Sequence, residues 1–563
     1  MRYLYTLSFF FILLNIIYGG ELSLFVNPSA ANNNKQCGSS IQSACDSIVS
    51  ALASYSSQNS ANYSTTLTLQ LMDGNYTAPK NSFLKNIYIN TININSFSNN
   101  SANVIFNGFN ATYPFLNYLQ TSTNIPLNLL VNNVTFINST HILNSTSTLS
   151  VTFDGCVFRD VLGRTSIIYL SNSNVTSLPS VNFINSQFFN VSIQGKQIVV
   201  ANKYLFVLSN MTMINCVGLY GFDLLGNGII ANVTIDSTRT FGSPLNLDII
   251  NSVTIRDSVF NNNTGSTGAI AFEDETSFSA LIQNSNFTKN KSLYSGAIYL
   301  GGNRGSYRIV GSNFLSNQCV NNGGALSSIG NTVSVQTSTF VNNTALKGGA
   351  LYATLSAYVY LNSVSLSNNS ADEGGAVYTL NSFVSLNSAV LTNNSATYGN
   401  DVECTSSTLS ITPSSSMIKS NYWCPYSDCT FRDQSNFQCP TDNPPVDSSS
   451  SHSKNNTHNS SSTNDDKDKK KGLDRGDIIA IAVCVSVVGV IIILILMCLG
   501  CRKHFTHSNN SSGHVRVNAH YKSHHESSPL VHHHHDSHHH NHHNHHHHNH
   551  GHHHGHHHHH GNH

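Results

Sequence analysis

The sequence predicts an all-β fold in which most of the chain winds as a parallel β-helix, and three observations carry that expectation. A short unit recurs in tandem: "FNNN" begins at Phe260, "FTKN" at Phe287, "FLSN" at Phe314, "FVNN" at Phe340, "LSNN" at Leu366 and "LTNN" at Leu391, in steps of 27, 27, 26, 26 and 25 residues. Stretches such as "YVYLNSVSLSNNS" alternate apolar and polar residues, the period of a half-buried strand. No segment between residues 60 and 400 carries a sustained 3.6-residue apolar stripe. Period and pattern together exclude helical repeats, the leucine and asparagine spacing of leucine-rich repeats is missing, and a propeller blade needs about 40 residues or more. A coil of three short strands and three corners fits the unit that remains.

The elements follow in order. "MRYLYTLSFFFILLNIIYGG" has one basic residue and then an apolar core ending at small residues, so residues 1–20 read as a signal peptide. Residues 21–65 are expected to form an N-terminal cap, with Cys37 and Cys45 close enough to staple it. Residues 66–403 are the β-helix. Its upstream units are looser but recognisable around Phe136, Phe158, Phe188, Met213 and Ile235.

Coils stack at the inter-strand distance of ~4.8 Å, so equivalent residues lie above one another. Phe260, Phe287, Phe314, Phe340, Leu366 and Leu391 are expected to form one internal apolar column. Asn263, Asn290, Asn317, Asn343, Asn369 and Asn394 are expected to form another, hydrogen-bonded along the axis as asparagines are in stacked sheets. Simple alternation would turn those asparagines outward. A corner between the two columns must reset the chain, and Asn tolerates the left-handed conformation. Glycine-alanine signals at Gly268-Ala269, Gly296-Ala297, Gly324-Ala325, Gly349-Ala350 and Gly375-Ala376 admit a tight bend before the next strand.

The paired FxxN and GGA[ILV] signals resemble the repeats of the chlamydial polymorphic outer membrane proteins. More broadly, they resemble the pectin-lyase-like superfamily of right-handed β-helices. "TLTLQLMDGNYT" from Thr66 is similar to the opening coil of that superfamily, and "CGSSIQSACDSIVSAL" from Cys37 to its N-terminal capping helix. The resemblance covers roughly residues 35–405 and implies the handedness of the helix. It implies no single activity, because the superfamily holds lyases, hydrolases, adhesins and inert spacers. The chain departs from the bacterial proteins in having a hydrophobic segment where they have a membrane barrel.

Residues 404–440 are expected to be a Cys-rich C-terminal cap. Cys404, Cys424, Cys429 and Cys439 read there as disulfides, with a four-thiolate zinc site as the other possibility. Residues 441–477 are Ser, Asn, Asp and Lys, a flexible stalk. Residues 478–501 run 24 residues without a charge, long enough to cross a bilayer. Residues 502–563 hold most of the 32 histidines. This low-complexity tail is first of all a repeat expansion. Its imidazoles, beginning with His532, His533, His534 and His535, are candidate ligands for a divalent transition metal. Cys498 and Cys501, at the inner membrane face, are palmitoylation candidates. Lys and Arg are more numerous before the hydrophobic segment than after it. The signal peptide therefore decides the orientation, giving a type I single-pass plasma-membrane protein with its β-helix outside.

Function is less legible. Charge is balanced, with 27 basic and 27 acidic residues and no basic stripe, so nucleic acid is not an expected partner. N-x-[ST] acceptors are dense; Asn62, Asn75, Asn110, Asn133, Asn174, Asn210, Asn232, Asn262, Asn286, Asn342, Asn368 and Asn393 are candidate glycosylation sites. Asn290 is also an acceptor, but its place in the internal column predicts that it stays unmodified. Glu273, Asp274 and Glu275 form the one dense acidic group, a candidate calcium site, with Arg304 and Arg308 about one coil away. The triads and paired carboxylates of sugar-cleaving enzymes are otherwise missing, since His141 is the only histidine in the β-helix. The expectation is a cell-surface glycoprotein, without cofactor, that presents its β-helix to an extracellular glycan or protein ligand. The alternative is a membrane-anchored polysaccharide lyase or glycoside hydrolase.

Overall fold

The computed structural model describes residues 21–31, 36–58, 66–77, 89–108, 116–117, 127–139, 141–146, 148–172, 178–273, 277–302, 304–416, 422–424 and 428–432. The expected signal peptide, stalk, membrane segment 478–501 and histidine tail lie outside the described residues. Among those residues, no helix is long and apolar enough to cross a membrane.

One coil shows how all are built. The strand Leu351–Thr354 runs into a bend at Leu355 and Ser356, both left-handed, and continues as Tyr358–Asn362. Left-handed Ser363 turns the chain into the three-residue strand Ser365–Ser367, and left-handed Asn368 turns it again. Asn369 follows, then Gly374-Gly375, and the next coil begins at Val377. Every strand pairs in parallel with its counterpart one coil on, as Tyr352 does with Tyr378 and Leu366 with Leu391. The two long segments of each coil merge into one broad 26-stranded sheet, and the short strands form a narrow sheet of 13. The chain is thus a parallel solenoid of about 13 turns. Its crossovers take the right-handed sense that parallel strand connections almost always take.

The internal columns are those the repeat predicts. Phe260, Phe287, Phe314 and Phe340 are in register and fully buried, with ring centroids 4.9, 4.9 and 4.5 Å apart. Upstream the same row holds Phe136, Phe158, Phe188, Met213 and Ile235. Burying each such side chain contributes ~1.5–3 kcal/mol.

Asn263, Asn290, Asn317, Asn343, Asn369 and Asn394 are buried, and each of the first five gives its Nδ2 to the Oδ1 of the next at 2.9–3.0 Å. That Oδ1 also accepts the preceding asparagine's backbone N–H. The last amide donates to Asp401, which occupies the place of the alanine in Gly375-Ala376. The left-handed corner is the residue just before the ladder, Asn262, Asn342, Asn368 or Asn393 where it is asparagine, and all four are exposed.

A second internal ladder escaped the sequence reading. The backbone N–H groups of Ser258, Ser285 and Ser312 donate to the hydroxyls of Ser285, Ser312 and Ser338 at 3.1–3.2 Å. These serines sit two residues before each Phe. Cys156 takes the serine row and Cys216 the asparagine row, and both are fully buried small side chains. Glycine pairs close the coil for two reasons. Gly323, Gly348 and Gly374 are left-handed, while a Cβ on Gly349 would stand 2.2 Å from the Gly375 carbonyl oxygen.

At the N-terminus, Glu21–Val26 adds a strand against Thr66–Leu71, and the helix Ile48–Gln58 buries Ile48, Ala51, Leu52 and Tyr55. The capping helix is therefore shorter than the resemblance implies. Residues 37–47 are instead a staple of Cys37 bonded to Cys45, and Ser40 and Ser43 tie their side chains to the local backbone there, which competes with helix. At the other end, Cys404 is bonded to Cys429 and Cys424 is also in a disulfide; Cys439 lies outside the described residues. Parallel pairing continues past residue 403, through Thr408–Ile411 to Thr430–Arg432.

Candidate functional site

Outward-facing residues of the broad sheet alternate with the buried ones. On the strands that follow the glycine turn, the row between the apolar ones reads Asp223, Asn246, Ala271, Tyr299, Ser327, Tyr352, Tyr378 and Glu403, of which Asp223, Tyr299 and Tyr352 are partly exposed and the rest buried. The row beside it includes Asp248, next to Glu273. Two polar groups arise from these rows.

The first gathers Asp223, Asp248 and Glu273. Asp223 accepts from the Asn246 amide at 3.0 Å and from the Gln197 amide at 3.1 Å. Asn246 is 5% exposed, and its Oδ1 has no hydrogen-bond donor. Partial burial, and then the charge of Asp223, push the Glu273 carboxyl up. Tyr220 and Tyr299 flank the carboxylates; burial and the charge of Glu273 raise both phenols, and Asp223 and Asp248 also act on Tyr220. The Tyr220 ring lies across Gly242, where a Cβ would be 1.9 Å from it.

Stacking therefore joins Glu273 to acids of the two preceding coils. It does not join Glu273 to Arg304 or Arg308: among the described residues neither forms an ion pair with it, and Arg308 donates to Gln336 instead. Gly301, which follows Leu300 in its pairing with Phe272, is the residue opposite Glu273. Asp274 and Glu275 lie outside the described residues, as do His532, His533, His534 and His535. Among the described residues no three His, Cys, Asp or Glu side chains converge closely enough to hold a metal ion. Asp223 and Asp248 lie 50 and 25 residues before Glu273, and the sequence reading missed them because each is a single acid among polar residues rather than a run.

The second group lies near the C-terminal end. Lys347 Nζ is 2.6 Å from Glu373 and 4.7 Å from the centre of the Tyr378 ring. Glu403, 4% exposed, stands between Tyr378 and Trp423 in the row and is pushed up to about 8 by burial and by Glu373, against the pull of Lys347. Beside this group, a shallow groove of 580 Å³ is lined by Tyr358, Tyr360, Phe383 and Arg432. A second, of 650 Å³, lies near the N-terminus between Phe25, Phe97 and an amide row that includes Asn95 and Asn132.

The acceptor asparagines are distributed unevenly. Between residues 148 and 416, Asn210, Asn232, Asn262, Asn342, Asn368 and Asn393 occupy left-handed corners beside the narrow sheet, as does Asn190, and Asn286 lies on that sheet. Asn290 is fully buried in the ladder. None of the described acceptors in this stretch lies on the broad sheet. Farther upstream, Asn75 is on the narrow sheet and Asn133 at a corner, while Asn144, an acceptor in Asn144-Ser145-Thr146, lies on the broad sheet. Asn62, Asn110 and Asn174 lie outside the described residues.

No protein-family model and no curated protein matches the chain. Solved structures that it resembles are parallel β-helices. The A-module of the Azotobacter vinelandii mannuronan C-5 epimerase AlgE6 shares 9% identity over 68% of this chain and 94% of its own, with a TM-score of 0.31. Tailspike protein 3 of bacteriophage CBA120 shares 13% identity over 72% of this chain and 61% of its own, at 0.27. Pectate lyase Pel9A shares 12% identity over 72% of this chain and 78% of its own, at 0.17. Nothing about activity or ligand follows from likenesses at this level.

Proposed function

We propose that this protein is a cell-surface glycoprotein whose solenoid presents its broad sheet for recognition of an extracellular glycan or protein. In this reading residues 1–20 direct export, residues 478–501 anchor the chain and the histidine tail stays inside. The observation that carries it is the division of the surface. Sugars attached at the corners would cover the narrow sheet, and between residues 148 and 416 the described part of the broad sheet would stay bare. That bare sheet carries Tyr299, Tyr352, Tyr358, Tyr360 and Phe383, rings suited to stacking on sugars or apolar side chains, the last three lining a shallow groove. Repeat rods bind through such extended faces without needing a deep pocket.

A glycan wedge tests this. Thr332→Asn creates an acceptor tripeptide with Val333 and Ser334, at an exposed site on the broad sheet between Ser306 and Tyr358. Binding of the purified protein to arrayed glycans and to cells should disappear once that site is occupied, while folding is unchanged. Undiminished binding by the wedged protein would remove the broad sheet from the proposal. The alternative, a polysaccharide lyase or hydrolase, rests on the raised carboxyl of Glu273 as an acid or base. Turnover of polyuronates with calcium that is lost in Glu273→Gln would replace the recognition reading.

A further inference from the structure

We infer that the groove of 650 Å³ near the N-terminus is the bed of the chain's own sugar, the glycan carried by Asn133, and is thereby closed to outside ligands. The inference rests on the export part of the recognition reading, and it narrows the recognition face to the coils beyond that groove.

Asn133 opens the acceptor tripeptide Asn133-Val134-Thr135 and is itself part of the groove wall, so the first sugar of its glycan is tethered there by a covalent bond. A tethered ligand needs little intrinsic affinity, because its effective concentration is on the order of millimolar. The acceptor is also placed unlike other corner asparagines. Asn342, Asn368 and Asn393 have exposed side chains and line neither groove. Asn133 is half-buried, and its carboxamide lies along the solenoid over Gly155, where a Cβ would stand 2.2 Å from Asn133 Oδ1. Gly155 thus leaves space for that side chain one coil on. Among the described residues the Asn133 Nδ2, the atom that takes the sugar, donates to nothing, whereas those of Asn210 and Asn232, in the same corner row, donate to Asn185 and Asn210.

The lining suits a sugar. One wall is Phe97, 47% exposed and in edge contact with Phe25, with ring centroids 5.9 Å apart. An exposed ring of this kind offers its face to the C–H face of a pyranose. The floor is a row of amides, Gln70, Asn95 and Asn132, paired from coil to coil at ~4.8 Å. Asn132 gives its Nδ2 to Asn95 Oδ1 at 2.6 Å. Among the described residues the Asn95 Nδ2, the Asn132 Oδ1 and both ends of the Gln70 amide make no hydrogen bond. Hydroxyls both donate and accept, so a sugar matches such a mixed row, which a purely cationic or anionic ligand would match only in part. The groove volume falls within the ~300–1,000 Å³ of ligand sites.

The test uses the full protein produced in glycosylating eukaryotic cells, with Asn133→Asp, Phe97→Ala and the two combined. Aspartate keeps the left-handed corner, as Asp257 does at a φ of 53°. Glycopeptide mapping gives the occupancy of each acceptor, and hydrogen exchange is read at the strands Thr91–Ser96 and Leu127–Asn132. Asn133 should carry sugar, and Asn133→Asp should speed exchange at those strands about threefold to tenfold. In the Phe97→Ala background the same change should be worth less than about twofold, because the ring that the sugar covers is gone. Asn342→Asp should leave those strands unchanged. Equal effects of Asn133→Asp in the two backgrounds overturn the inference, and so does a bare Asn133. If Asn133 is bare while Asn342, Asn368 and Asn393 carry sugar, the recognition reading stands. Bare asparagines at all four sink the export reading as well. Circular dichroism of each variant guards against unfolding as the cause.

Discussion

Replacing Asn343 by alanine should damage the solenoid far more than replacing its neighbour Asn342, although both are asparagines in one repeat. Asn343 is fully buried, and its side chain makes four hydrogen bonds: its Oδ1 accepts the N–H and the Nδ2 of Asn317, and its Nδ2 donates to Phe314 O and Asn369 Oδ1, all at 3.0 Å. Truncation leaves at least two donors of Asn317 without an acceptor, in a place water cannot reach. At ~1–3 kcal/mol for each, the loss is roughly 2–6 kcal/mol. Asn342 instead has its side chain exposed, and what it contributes is tolerance of a left-handed φ of 55°. Alanine there costs about 1–2 kcal/mol.

In a solenoid such effects stay near the altered coil. Native-state hydrogen exchange is therefore the assay, read at the backbone N–H groups of Asn317 and Asn343. Protection should fall sharply at both in Asn343→Ala and only slightly in Asn342→Ala. Equal protection in the two variants would refute the ladder as a source of stability.

Gly349→Ala places a Cβ 2.2 Å from the Gly375 carbonyl and 2.7 Å from the Ser370 nitrogen, both backbone atoms, so the coil spacing itself must give. Urea titration should show a loss of at least about 3 kcal/mol, and a near-parental midpoint would be the contrary result. Glu403 binds a proton in the folded state up to pH about 8, from an ordinary value of 4.5. Stability from this group is complete below pH 4.5 and is lost as pH rises to 8, by up to roughly 4–5 kcal/mol. Glu403→Gln should flatten that decline in urea titrations across the range, and parallel pH profiles would contradict the assignment. Glycopeptide mapping of the mature protein should find Asn290 bare, since a sugar there cannot share the ladder; substantial occupancy would exclude the buried placement.

The solenoid was legible because stacking turns sequence period into space. Phe260 to Leu391 recur at steps set by one coil, and each copy repeats the same corner, ladder and glycine residues. The serine ladder was equally periodic, two residues before each Phe, but serine is common enough in this chain that the row does not stand out. The candidate site was not legible for a different reason. Asp223, Asp248 and Glu273 recur at steps of 25 residues, but single acids do not stand out as a period, and it is the pairing of Asp223 with Asn246 and of Asn246 with Ala271 that brings their coils together. The acidic run at Glu273 drew attention by composition, whereas the arginines proposed beside it follow a bend that carries them onto another segment of the coil.

The asparagine row has a direction. An amide can be turned end for end with little change in shape, but each Oδ1 here accepts a backbone N–H of the coil before it and each Nδ2 donates to a backbone carbonyl, so the main chain sets every rung. At one end Asn394 presents its nitrogen to Asp401, and at the other the oxygen of Asn263 meets the backbone N–H of Thr238. The coils thereby align a file of dipoles over ~24 Å, each polarising the next. The interior of this rod has a polarity along its axis, written again in every copy of the repeat.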